Sequence, residues 1–196
     1  LDSHAGDGDF GMSIAKGFKQ LKREWKEILS HDDKSIGGFL HECSLVIMEY
    51  CGGASGPIWG SAFRAAGRSA GDKTELNVSE FAELMQAAVE GIQSTGERSF
   101  GRGAVVGDKT LIDAFVPAIE AFDSTVAGGQ SFADALAAMT EAADKGRDST
   151  IDLDAKIGRA SRLGERSLGV LDAGATSCAL ILKEIAKGVS GKLQAP

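Results

Sequence analysis

The chain has 196 residues, 43% hydrophobic and 25% charged, with a formal net charge of −7. That profile describes one globular domain, 1–196, long enough to bury a core. An acidic chain without a Lys/Arg stripe is a poor nucleic-acid binder, and no apolar run approaches the ~18 residues a membrane span needs.

Helical periodicity runs through nearly the whole chain. A first stretch over about 12–29 carries Lys16, Lys19, Lys22 and Arg23, the densest basic group, which reads as a solvated helix face. His31, in "SHDDKS", falls in an exposed loop. A second stretch covers about 36–50. It holds His41 and Cys43, with Cys51 beyond, but not the twice-paired spacing of a zinc site, so these read as buried thiols. The three cysteines, with Cys178 the third, are too few for a disulfide framework and fit a reducing, cytoplasmic compartment. A helix over about 57–70 starts near Pro57, a residue favoured in the first turn. Asn77 caps the next, with Glu80 in the reciprocal box position. Phe81, Leu84, Met85, Ala88, Val89 and Ile92 then form one apolar stripe. A stretch over about 109–126 follows. Ser131 opens a helix with Phe132, Ala135, Leu136, Met139 and Ala143 on one face. A weaker stretch covers about 154–168. Cys178, Ile181, Leu182, Ile185 and Val189 close the series. Nothing alternates with period two, so the class is all-α, with seven or eight helices.

Chemistry gathers in the glycine-rich connections. "HAGDGDFGMS" places Asp7 and Asp9 one residue apart, with Asp2 upstream and no basic partner. Clustered carboxylates repel one another unless a cation intervenes, and hard oxygen ligands suit Mg²⁺ or Ca²⁺. An EF-hand is excluded, because its twelfth position counted from Asp7 is Phe18. Two readings stand level on spacing alone: a metal site, and a polar turn capping the helix that starts near Gly11. In "GGASGPIWG" the loop N–H groups and the Ser55 hydroxyl either cradle an anion or make a plain interhelical turn. "GAVVGDKT" is not a phosphate loop of the strand–loop–helix type, since Asp108 stands where glycine is needed before Lys109 and no strand precedes it. Carboxylates and phosphate-type loops together suggest a Mg-nucleotide site. Among the histidines, His4 beside the Asp cluster is no catalytic candidate, and no general base is nominated.

Four motifs in order, "LDSHAGDGDFG", "GGASGPIWG", "GDKTLIDAF" and "GRASRLGERSLGVLDAGATS", make the chain resemble the L domain of dihydroxyacetone kinases from Asp2 to about Lys187. The resemblance implies a barrel of about eight antiparallel amphipathic helices, with one further helix before residue 1 and a nucleotide at one end. It implies that Asp2, Asp7 and Asp9 hold two Mg²⁺ ions bridging the phosphates of ADP or ATP. Gly53, Ala54 and Ser55 match the phosphate loop, and Ser13 the helix start approaching it. Gly103, Thr110 and Leu111 match the adenine stretch. Arg159, Asp172 and Gly174 match later nucleotide-contacting segments. Phe10 departs from the pattern, standing where some members carry His or Cys. The resemblance further implies a kinase for dihydroxyacetone or a related small ketose. Such a kinase is active only with a separate K subunit or domain that holds the ketone covalently through a histidine, and a phosphotransferase-system protein is a possible donor. The alternative is a non-catalytic nucleotide-binding regulatory module.

Overall fold

The apolar stripes become seven α-helices and two short 3₁₀ segments, with no strand among the described residues. The structure is a computed structural model that describes residues 8–158 and 160–193. It divides into two compact units, one of Gly8–Gly103 and one from Ala104 onward.

The first unit contains α1 (Phe10–Ser30), α2 (Ile36–Tyr50), α3 (Ser55–Ala70) and α4 (Val78–Phe100). Helix α2 lies against α1 and α3, and α3 against α4. In α1, Leu21 and Ile28 are buried while Lys16, Lys19, Lys22 and Arg23 stay exposed, the solvated face expected. The start of α2 shows why its neighbours are glycine-rich. Ser35 Oγ accepts the Gly38 N–H at 2.9 Å. Ile36 and Gly37 donate their N–H groups to Lys73 O at 2.8 Å and Gly71 O at 3.1 Å. First-turn donors have no partner inside their own helix, and here they bind the residues just past the end of α3. A Cβ on Gly37 would lie 2.7 Å from Gly67 O, so only glycine permits this approach. The Asn77–Glu80 capping box of α4 forms as expected. Met85, Ala88, Val89 and Ile92 are buried, with Phe81 and Leu84 half-buried. Each large side chain fully buried this way contributes roughly 1.5–3 kcal/mol.

The second unit contains α5 (Ile112–Ala127), α6 (Phe132–Ser149) and α7 (Ala173–Leu193). Helix α6 lies against both α5 and α7. Ser131 and Asp134 form a second capping box. The core joins Ile112, Ile119 and Phe122 of α5, Leu136 and Met139 of α6, and Cys178 and Leu182 of α7, all nearly inaccessible. Pro117 supplies no N–H for the carbonyl four residues back, Asp113 O. Gly146 of α6 packs against that same carbonyl, and a Cβ there would also lie 3.0 Å from Ala114 Cα.

Two expectations need correction. The stretch 154–168 is not an α-helix: residues 153–158 are irregular, and Ala160–Ser167 is 3₁₀, interrupted at Gly164 (φ 55°, ψ −134°). Among its described side chains only Ala155 and Ser167 are buried, so these do not form the kind of apolar face that stabilises a helix by packing. Ser167 Oγ instead accepts the Ala155 N–H at 3.2 Å, closing the segment on itself. Helix α3 begins at Ser55 rather than near Pro57, because Ala54 O already accepts the Ile58 N–H at 3.1 Å. The cysteines are free and buried, with burial pushing the Cys43 thiol up to about 12, and His41 is exposed. No helix among the described residues is long and apolar enough to cross a membrane.

Candidate functional site

Apart from Gly103, the described site residues expected from sequence fall into two clusters, one in each unit. Asp2, Asp7 and Arg159 lie outside the described residues, as does His4.

In the first unit the glycine-rich connection before α3 folds against the start of α1. Asp9 is exposed at the N-cap of α1, in helical backbone conformation (φ −98°, ψ −11°). Its carbonyl accepts the Ser13 N–H at 2.9 Å, while its side chain makes no capping hydrogen bond. One turn on, the Ser13 hydroxyl donates to Gly52 O at 2.7 Å. That bond fixes the start of α1 beside Gly53, Ala54 and Ser55. Gly53 is exposed with φ +58°, a conformation that favours glycine. Ala54 is the N-cap of α3, and Ser55, its first residue, is 7% exposed. A Cβ on Gly56 would sit 2.8 Å from Cys51 O, so the first turn of α3 must carry glycine there to reach so close. The cluster therefore sets an exposed carboxylate near the positive end of a helix dipole whose first N–H groups lack helical partners. Gly103 lies elsewhere in this unit, against Gln93 of α4. Among the described residues no group of three or more His, Cys, Asp or Glu side chains is placed to hold a metal. The three-aspartate set extends beyond those residues.

The second cluster is a turn before α5. Gly107 has φ +98°, and Lys109 has φ +60°, the one non-glycine residue with positive φ among those described. That conformation costs on the order of 1–3 kcal/mol for such a side chain, so tertiary contacts must impose it. They are visible. The Asp113 carboxylate, fully buried, accepts the Gly107 N–H at 2.6 Å and the Thr110 N–H at 2.7 Å. Asp108 accepts the Val105 N–H at 2.9 Å. The Lys109 ammonium donates to Thr150 O at 2.6 Å, Val170 O at 2.7 Å and Leu153 O at 3.1 Å. Lys109 is 1% exposed, and three carbonyls match its three N–H donors. Burial holds the ammonium below its ordinary pKa, opposed by the carboxylates of Asp172, Asp154, Asp113 and Asp152.

This turn brings Thr110 and Leu111 to Asp172 and Gly174. A Cβ on Gly174 would lie 2.9 Å from Asp172 Oδ2 and 3.3 Å from Leu111 N. Asp172 donates its N–H to Thr150 Oγ1 at 2.9 Å, and its carboxylate accepts the Ala175 N–H at 2.7 Å. Burial pushes that carboxyl up to about 6. The Ala175 N–H pulls it back, Asp113 adds to the rise, and Lys109 and the Gly174 N–H lower it. Lys109, Asp113 and Thr150 were not among the site residues expected from sequence. The one local signal was a carboxylate, Asp113, set between Ile112 and Ala114 on an otherwise apolar helix start.

The DAK2 domain profile matches residues 4–187. A relative from Listeria innocua, the ADP-binding subunit DhaL of a PEP-dependent dihydroxyacetone kinase, is 35% identical over 185 residues, covering 94% of this chain and 82% of its own length. D-erythrulose kinase of Mycolicibacterium smegmatis is 35% identical over 190 residues, covering 97% of this chain but 32% of that protein. The crystal structure of the dihydroxyacetone kinase from C. freundii in complex with AMP-PNP and Mg²⁺ superposes with a TM-score of 0.65 at 24% identity. That match spans 95% of this chain and 29% of that one, and it shows a shared fold.

Proposed function

The chain belongs to the DAK2 domain family, and from that premise we propose that it is the ADP- or ATP-binding component of a ketose kinase. Its substrate is dihydroxyacetone or a related small ketose such as erythrulose. The whole chain, 1–196, acts as one nucleotide-binding domain, and the ketone is held by a separate K-type subunit or domain. The names of the Listeria and Mycolicibacterium relatives support this class of reaction. The PEP-dependent relative favours a phosphotransferase-system protein as donor, and the compartment of this reading is the cytoplasm.

The observation that carries the reading is the Ser13 Oγ–Gly52 O bond, which sets Asp9 beside the glycine loop at the start of α3. The donor chemistry fits a Mg-nucleotide. Exposed aspartate oxygens suit Mg²⁺, and loop and first-turn N–H groups suit phosphate oxygens. Asp2, Asp7 and Asp9 would hold a pair of Mg²⁺ ions, with Gly53, Ala54, Ser55 and Ser13 about the phosphates. Gly103, Thr110, Leu111, Arg159, Asp172 and Gly174 would contact the rest of the nucleotide. When bound, Mg-nucleotide supplies the phosphoryl group and neutralises charge as it transfers. The chain's own residues orient the phosphates and keep the nucleoside fixed. No residue of the chain is nominated as general base, and activity requires the partner because that partner holds the ketone.

Calorimetric titration with ADP, with and without Mg²⁺, tests the reading. Binding that requires Mg²⁺, and kinase turnover on adding a K-type partner, are the expected results. No Mg-dependent binding of ADP or ATP by the intact chain would sink it. Binding without turnover with any K-type partner would point to a regulatory module instead.

A further inference from the structure

The most unusual group in the second unit is the buried Lys109 ammonium. We infer that Lys109 is a positioning residue for the nucleotide: its ammonium acts as a built-in monovalent cation, gathering three main-chain carbonyls and so locking the Thr110–Leu111 segment against the Asp172–Gly174 segment. The inference rests on the nucleotide-binding reading above and assigns a role to a residue that would not touch the nucleotide.

Three features carry it. The acceptors Thr150 O, Leu153 O and Val170 O come from three points on the chain and converge on one nitrogen at 2.6–3.1 Å. Convergent neutral carbonyls repel one another through their dipoles, so the arrangement needs a cation at its centre. A lysine ammonium is a compact point charge with three donors and suits that centre. The lysine and two of its three acceptors lead directly to proposed contacts. Lys109 precedes Thr110 and Leu111 in the chain. Val170 stands two residues before Asp172. Thr150 accepts the Asp172 N–H through its hydroxyl at 2.9 Å. The backbone has paid for this arrangement by placing Lys109 at φ +60°, where a lysine has no local reason to be. Asp113, which accepts the Thr110 N–H, completes the clamp from the other side.

The test compares Mg-ADP binding by the wild-type chain, Lys109→Met and Lys109→Ala, with helical content followed by circular dichroism. Lys109→Met keeps most of the stem and removes the charge. It should stay helical yet bind Mg-ADP at least tenfold more weakly. Lys109→Ala leaves room for the missing stem and ammonium. Adding n-propylammonium should recover at least fivefold in its affinity, while n-propanol, which lacks the charge, should not. A purely structural lysine would give rescue of melting temperature without rescue of affinity, and that result overturns the inference. So does folded Lys109→Met that binds Mg-ADP like wild type. If neither variant folds, Thr150→Val decides, since it removes the hydroxyl that holds Asp172 and leaves the cage carbonyls in place. A threefold or greater loss of affinity supports the clamp, and wild-type affinity refutes it. Wild-type chain that fails to bind Mg-ADP would sink the nucleotide reading and this inference with it. Wild-type binding with unaltered variants sinks the inference alone.

Discussion

The two motif-bearing connections solve opposite problems. The 52–55 loop in the first unit is exposed at Gly52, Gly53 and Ala54, and one side-chain bond, from Ser13, anchors it to α1. The 107–113 turn in the second unit is interior, with Asp108, Lys109 and Asp113 each at most 1% exposed and tied by several hydrogen bonds. An open loop leaves its N–H groups to a ligand and adds little to stability. A closed turn spends its polar groups on the fold and presents a rigid edge. Binding and stability should therefore separate in the first connection and move together in the second.

Substitutions can break that contrast, starting with Asp113. Asp113→Ala strands the half-buried N–H groups of Gly107 and Thr110, each worth about 1–3 kcal/mol, for a total near 4 kcal/mol. For a chain of this size the melting temperature should fall by roughly 8–16 °C, with Mg-ADP affinity falling too. A variant that melts like wild type would show the turn is not closed by its carboxylate.

Asp172 sharpens the comparison through pH. Its folded pKa, raised to about 6, exceeds the ordinary carboxyl value, so the folded protein binds more protons than the unfolded chain between about pH 4 and 6. Stability from this group is present below that window and is lost as pH rises through it. Against Asp172→Asn, wild type should lose up to about 3 kcal/mol of relative stability between pH 4 and 7. Parallel pH profiles in denaturant melts would contradict the buried carboxyl.

Asp9→Ala probes the open connection. Mg-ADP affinity should fall about 100-fold, or about 2.8 kcal/mol, while the melting temperature without nucleotide stays nearly unchanged because the side chain is exposed. An equal loss of stability and affinity would erase the distinction between the two connections. The smallest effect belongs to Asn77→Ala, which removes the α4 capping box. It should cost about 1 kcal/mol and leave nucleotide affinity at the wild-type value.

Much of the fold was legible because its signals are short-range. The Asn77 and Ser131 caps, and the stripes through Met85–Ile92 and Ala135–Ala143, need only neighbours within two turns, and they form as expected. The stretch 154–168 departs from its expected helix for the complementary reason: its periodicity is weak, only Ala155 and Ser167 are buried among its described side chains, and positive φ at Gly158 and Gly164 breaks the helix. At the site, Ser13 and the 53–55 loop were readable as motif neighbours, yet the bond that joins them crosses 39 residues.

Local features follow from the order of residues alone: helix starts and stops, apolar faces, and the set of motifs that ties the chain to its family. The Lys109 cage, by contrast, exists only once the chain has folded. In sequence "GDKT" lacks the glycine of a phosphate loop, and nothing near it names acceptors for a buried ammonium. Those acceptors lie 41, 44 and 61 residues away. A lysine is forced to positive φ, and kept out of water, only when distant carbonyls are already assembled around it.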